Sequence, residues 1–171
     1  VRREPTPEER ERIDRSLVAL GTLFEGAQIR WQLDGAINIS LMVGKYIRIH
    51  KDIDLSIDAD DLEEVERLLE SRGYALFLSS QKDPTEPRGK KVMERVSVAR
   101  FCEAAEKDEA IHHPMIARID ASGRIQEGGD LNFIDTHIVR RDEENRPIGR
   151  SGIVLPNEWY EPQVVDVKGT R

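Results

Sequence analysis

The chain has 171 residues, 35% of them charged and 38% hydrophobic, with a formal net charge of -7. That length supports one domain with a sizeable core, and residues 1–171 are read as a single domain. The net charge argues against a broad basic surface for nucleic acid, and no apolar run approaches the ~20 residues of a membrane-spanning helix. A charged N-terminus, VRREPTPEERER, has no apolar leader segment, so a cytoplasmic protein is expected. The one cysteine, Cys102, excludes an internal disulfide framework and a cysteine-based zinc site.

Thr6-Pro7-Glu8-Glu9 has the form of a capping box, and Ile13, Leu17, Leu20 and Phe24 follow at helical spacing, which predicts a helix over about 7–24. Ile29 to Leu33 is a short apolar run ended by Asp34-Gly35. Ile37 and Leu41 then mark a brief helix that stops at Gly44. In DIDLSID, Ile53, Leu55 and Ile57 alternate with Asp52, Asp54, Ser56 and Asp58, the period of a strand with one buried face. Its other face is then rich in carboxylates, and like charges on one strand face repel unless something compensates them.

The segment 58–73 opens with aspartates, carries Leu62, Val65, Leu68 and Leu69 on one side, and ends at Gly73, which predicts a helix. YALFLSS reads as a strand and QKDPTEPRGKK as a loop. VMERVSVARF is compatible with a strand, whereas ARFCEAAEKDEA has helical composition, so the middle of the chain is ambiguous. MIARID and DLNFIDTHIV read as strands, RRDEENRPIGRSG as a charged hairpin or loop, and EPQVVDVKG as room for one more strand. Helices and strands together predict an α+β fold, a mixed sheet with helices packed mainly on one face.

The span LDGAINISLMVGKYIRIHKDIDLSI, with Arg48-x-His50-x-Asp52-Ile53-Asp54-Leu55, resembles the nucleotidyltransferase superfamily. Within it the likeness is to small-molecule nucleotidyltransferases of the aminoglycoside and lincosamide resistance type, and it continues weakly at FIDTHIV, 133–139. The pair Gly35-Ala36 departs from the Gly-Gly or Gly-Ser that such enzymes carry at the turn.

The resemblance implies transfer of a nucleoside monophosphate from an NTP, ATP among the candidates, to a hydroxyl of a small molecule. Mg2+ would be the cofactor, in a two-metal site. Asp52 and Asp54 would be the catalytic metal ligands. Asp135 would be the third, because IDTHIV is similar to the family's Asp-x-His strand, with Asp130 and Asp120 as rivals. Gly35 and Ala36 would offer backbone N–H groups to the triphosphate at a helix start, and Arg48 and Lys51 would add positive charge. His137 is a candidate partner of the ligands or a packed histidine. His112-His113 lacks an identifiable metal partner, and Trp31 and Trp159 read as packing residues.

Two alternatives stand beside this reading: a toxin-type nucleotidyltransferase acting on protein or RNA, and a non-catalytic binding module that keeps the fold. Neither the general base nor the oligomeric state is legible.

Overall fold

The computed structural model describes residues 3–50, 52–80, 92–107, 114–126, 128, 130–131, 133–148 and 152–160. Helix α1 (Pro7–Phe24) begins where the sequence predicts, and its cap is built as expected. The Thr6 hydroxyl accepts from the Glu9 N–H at 3.3 Å, and the Glu9 carboxylate accepts from the Thr6 N–H at 2.8 Å. Strand β1 (Trp31–Leu33) leads through Asp34 into α2 (Gly35–Met42), and β2 (Ile53–Asp58) follows. A single 3-10 turn (Ala59–Asp61) connects β2 to α3 (Leu62–Ser71), which buries Leu62, Val65 and Leu69. Asp58 caps that turn through the Asp60 N–H, but Asp61 makes no cap bond. Its carboxylate instead accepts from the Arg30 backbone N–H at 2.7 Å.

Strand β3 (Tyr74–Ser80) precedes β4 (Val92–Val96) and α4 (Val98–Lys107). The ambiguous middle is therefore a strand and then a helix. Ser97 separates them, its side chain accepting from the Arg100 N–H at 3.2 Å in the manner of a helix cap. Strands β5 (Met115–Arg118), β6 (Phe133–Arg141) and β7 (Pro147–Ile148) complete the sheet, and a 3-10 turn (Asn157–Tyr160) follows. The possible last strand at 161–169, the loop at 81–91 and His112-His113 lie outside the described residues.

The sheet runs β1-β2-β6-β5-β3-β4, with β7 paired to β6. Only β2 and β6 pair in parallel among the described strands. Parity then sorts the side chains of the central strands. Ile53, Leu55 and Ile57 lie opposite Ile134, Thr136 and Ile138, and the apolar members of this set join Ile13, Leu17, Leu20, Val65, Leu69 and Phe101 of the helices in one core. Helices thus cover one face, as the α+β reading expects. Asp54, Ser56 and Asp58 take the other face, opposite Asp135, His137 and Val139.

Candidate active site

The parallel pairing of β2 with β6 sets Asp54 directly against Asp135. Neighbouring strands are ~4.8 Å apart, so two carboxylates rise from adjacent backbones onto the same face. Asp52 is exposed, one residue before β2. Asp54 is held above the ordinary carboxylate range first by partial burial, then by the negative charges of Asp52 and Asp135. That is the like-charge cost anticipated from the alternation, now concentrated on one residue.

Neither rival for the third position joins this group. Asp130 is engaged by Arg15 at 2.8 Å, and Asp120 closes a turn, accepting from the Ser122 N–H at 2.8 Å and the Arg124 N–H at 3.0 Å. Asp135 is the choice that the sheet brings to Asp54.

The glycine turn meets the same carboxylate. Gly35 has φ +62°, and a Cβ built on it would lie 2.1 Å from Asp54 Oδ2, so only glycine allows the backbone to approach this closely. Gly35 N–H, expected to be available for phosphate, already donates to Asp34 Oδ1 at 2.7 Å. Asp34 is the N-cap of α2 and fills the position that an anion would take. The Ala36 amide is the next along the turn.

Asp34 is the residue whose weight was not visible from sequence, where Asp-Gly reads simply as a turn. Its Oδ2 accepts from Ser56 Oγ and from His137 Nδ1, both at 2.9 Å. The bond to His137 holds the Asp34 carboxyl far below the ordinary range, and the same bond raises the imidazole. N-cap preference for aspartate, applied to the residue before Gly35, is the signal that would have found it.

Asp58, the third aspartate of the alternating strand, has a different task. It is 3% exposed and is paired with Arg141 and, at 3.2 Å, with Arg30. These groups line a cleft of about 400 Å³ on the same face, together with Gln32, Ser56, Val139 and Tyr160.

Arg48 is half-buried in the connection from α2 to β2. His50, two residues on, is buried beside Ser40 Oγ at 3.4 Å and edge-on to Tyr46, and its basicity is lowered by burial and then by the Arg48 charge. The Arg-x-His portion of the motif therefore packs the loop before β2. Lys51 lies outside the described residues, as does the side chain of Trp159. Trp31 is half-buried with its ring 5.2 Å from that of Phe24, in agreement with a packing role.

The donors suit a hard divalent cation in kind, all being carboxylate oxygens on one face. Among the described residues, however, no three His, Cys, Asp or Glu side chains already converge on one point. Magnesium fits that arrangement better than a cage-bound ion, since it takes one or two carboxylates and completes its shell with water and substrate phosphates.

Residues 16–121, well over half of the chain and including β1, α2 and β2, match the sequence profile of the aminoglycoside-2''-adenylyltransferases. The chain belongs to that family. Asp135 lies beyond the matched segment. A lincosamide resistance protein of Staphylococcus haemolyticus is 33% identical over 63 residues, which is 37% of this chain and 39% of that protein. The chain thus aligns with about two-fifths of the length of that curated relative. The crystal structure of the lincosamide antibiotic adenylyltransferase LnuA with lincomycin bound superposes on 92% of this chain and 73% of its own, with a TM-score of 0.50 and 19% identity. The family's α+β architecture is shared at that distance. Among the described residues no helix is long and apolar enough to cross a membrane.

Proposed function

We propose that this chain is an enzyme that transfers a nucleoside monophosphate from an NTP to a hydroxyl of a small molecule, in the cytoplasm, with residues 1–171 acting as one nucleotidyltransferase-like domain. The observation that carries the reading is the Asp54–Asp135 register on the open face, with the Gly35 backbone against Asp54 at the start of α2. Asp52, Asp54 and Asp135 would hold Mg2+, which when bound stabilises the charge on the attacking and leaving oxygens. The chain's own contribution is orientation. Gly35 keeps the turn close to the carboxylates, the Ala36 amide and the start of α2 favour a phosphate, and Arg48 and Lys51 supply positive charge on the approach to β2.

Family membership supports an antibiotic-like acceptor, and the lincomycin bound by LnuA makes a lincosamide the first to test, with aminoglycosides beside it. Occupation of the Gly35 N–H by Asp34 favours a second reading, a module that binds without transfer.

Thermal shift with ATP, GTP, CTP and UTP, each with and without Mg2+, followed by pyrophosphate release on lincosamide and aminoglycoside panels, separates the two. Magnesium-dependent nucleotide binding with turnover is the expected result. Binding without turnover on any acceptor leaves the module, and no binding of any nucleotide removes both.

A further inference from the structure

Asp34 touches every element of the carboxylate site. Its backbone N–H donates to the Asp54 carbonyl at 2.9 Å, and its side chain takes the Gly35 N–H at the head of α2, Ser56 Oγ of β2 and His137 Nδ1 of β6. The contact with His137 joins residues 103 apart in sequence and passes over β2, because β1 and β6 flank that strand. Ser56, the register partner of His137, lies beneath the contact.

An ionised carboxylate only accepts, so the ring nitrogen facing Asp34 carries the proton and the ring orientation is set. Nε2 is then on the other edge of the imidazole. His137 stands two residues after Asp135 on the same face of β6, which places that edge beside the carboxylates.

The bland alternative is a brace between strands. Both partners are more than a third exposed, at 37% for His137 and 41% for Asp34, and a pair so wetted contributes little to stability. A carboxylate that fixes the tautomer of a histidine on an open, charged face is better accounted for by what the ring meets there.

We propose that His137 contacts the transferred phosphoryl group through Nε2, and that Asp34 is the residue that positions it. The inference rests on the nucleotidyltransferase reading above. It adds a substrate-touching side chain to the carboxylates and gives the aspartate at the glycine turn a task.

The test uses the full chain labelled with 15N at histidine, with His137→Gln identifying the ring signals. In the unliganded protein Nδ1 should be the protonated nitrogen of His137. Addition of Mg2+ with a non-hydrolysable analogue of the NTP that binds best should move the Nε2 resonance and leave Nδ1 nearly in place. Asp34→Asn should shift the Nδ1 signal and weaken nucleotide binding about ten-fold, the scale of one hydrogen bond to a charged group. His137→Gln should weaken it similarly, and the double variant no further, because the two act as one unit. Ser56→Ala, which removes a different bond to Asp34, should leave affinity within about two-fold and controls for general loosening.

An Nε2 resonance unmoved by bound nucleotide overturns the contact. So does an Asp34→Asn protein that melts earlier but binds nucleotide as well as wild type, since that is the behaviour of a brace. Wild-type protein that binds no nucleotide at all overturns the nucleotidyltransferase reading itself and the contact with it, an outcome distinct from the other two.

Discussion

Gly35 is packed so tightly on Asp54 that a methyl group at position 35 would lie 2.1 Å from the Asp54 carboxylate, well inside van der Waals contact. Two constraints therefore coincide at one residue, a left-handed backbone at φ +62° and a forbidden side chain. Gly35→Ala is expected to cost about 1–2 kcal/mol from the backbone alone, and to displace Asp54 as well. Urea unfolding reads the first effect and magnesium-dependent nucleotide binding the second. Ala36, one residue on, should accept glycine or serine, while Ala36→Leu should weaken nucleotide binding before it lowers stability. Unchanged affinity in Ala36→Leu would show that this turn does not receive phosphate.

Asp54 is surrounded by negative charge from Asp52 and Asp135. Asp52→Asn and Asp54→Asn should each leave the metal-free protein as stable as wild type or slightly more so, since each relieves repulsion. Both should lose magnesium-dependent binding or turnover, as should Asp135→Asn. Melting curves with and without Mg2+ distinguish this from a structural motif, in which the variants would unfold early and respond to the metal normally.

Asp58 presents the opposite case. Its carboxylate is 3% exposed between Arg141, itself 19% exposed, and Arg30. Asp58→Asn leaves the Arg141 charge without its buried counterpart and should cost about 3 kcal/mol in chemical denaturation. Asp60→Asn, at a side chain 76% exposed, should change stability by less than about 0.5 kcal/mol.

Thr136 is fully buried opposite Leu55, and its hydroxyl has no hydrogen-bond partner among the described residues. Replacing that hydroxyl by a methyl group of similar size removes an unmet desolvation cost. Thr136→Val should therefore raise stability by about 1 kcal/mol, read as a higher urea midpoint at unchanged slope. A lower midpoint would indicate that the hydroxyl is satisfied in solution.

The cap of α1 supplies a pH dependence. Arg3 and the Thr6 N–H hold Glu9 at about 2, against 4.5 for the free group. A depressed carboxylate contributes stability above its unfolded value and loses it as pH falls through the folded one. Wild type should thus melt above Glu9→Gln at pH 6, and the gap should close between pH 4.5 and about 2. A gap that persists unchanged at pH 2 would exclude the ionised carboxylate as its source.

The sequence by itself determined the local elements and the composition of the open face. A capping box at Thr6–Glu9, helical spacing from Ile13 to Phe24, and period-two alternation from Asp52 to Asp58 are written in neighbouring residues, so they can be read without knowing what packs against them. The Asp-x-Asp strand and the glycine turn belong to the same short span for that reason. Strand pairing is not local. Only the tertiary structure decided that β6 lies parallel beside β2, which selects Asp135 over Asp130 and Asp120 by bringing its Cα opposite that of Asp54. The three alike aspartates of β2 also separated there. Asp58 meets arginines that arrive from β6 and from the residue before β1, whereas Asp54 meets the Gly35 turn and another carboxylate. Asp34 joined His137 in the same way, since a hydrogen bond across 103 residues leaves no periodic trace in the chain and exists only once the sheet has set β1 and β6 on either side of β2.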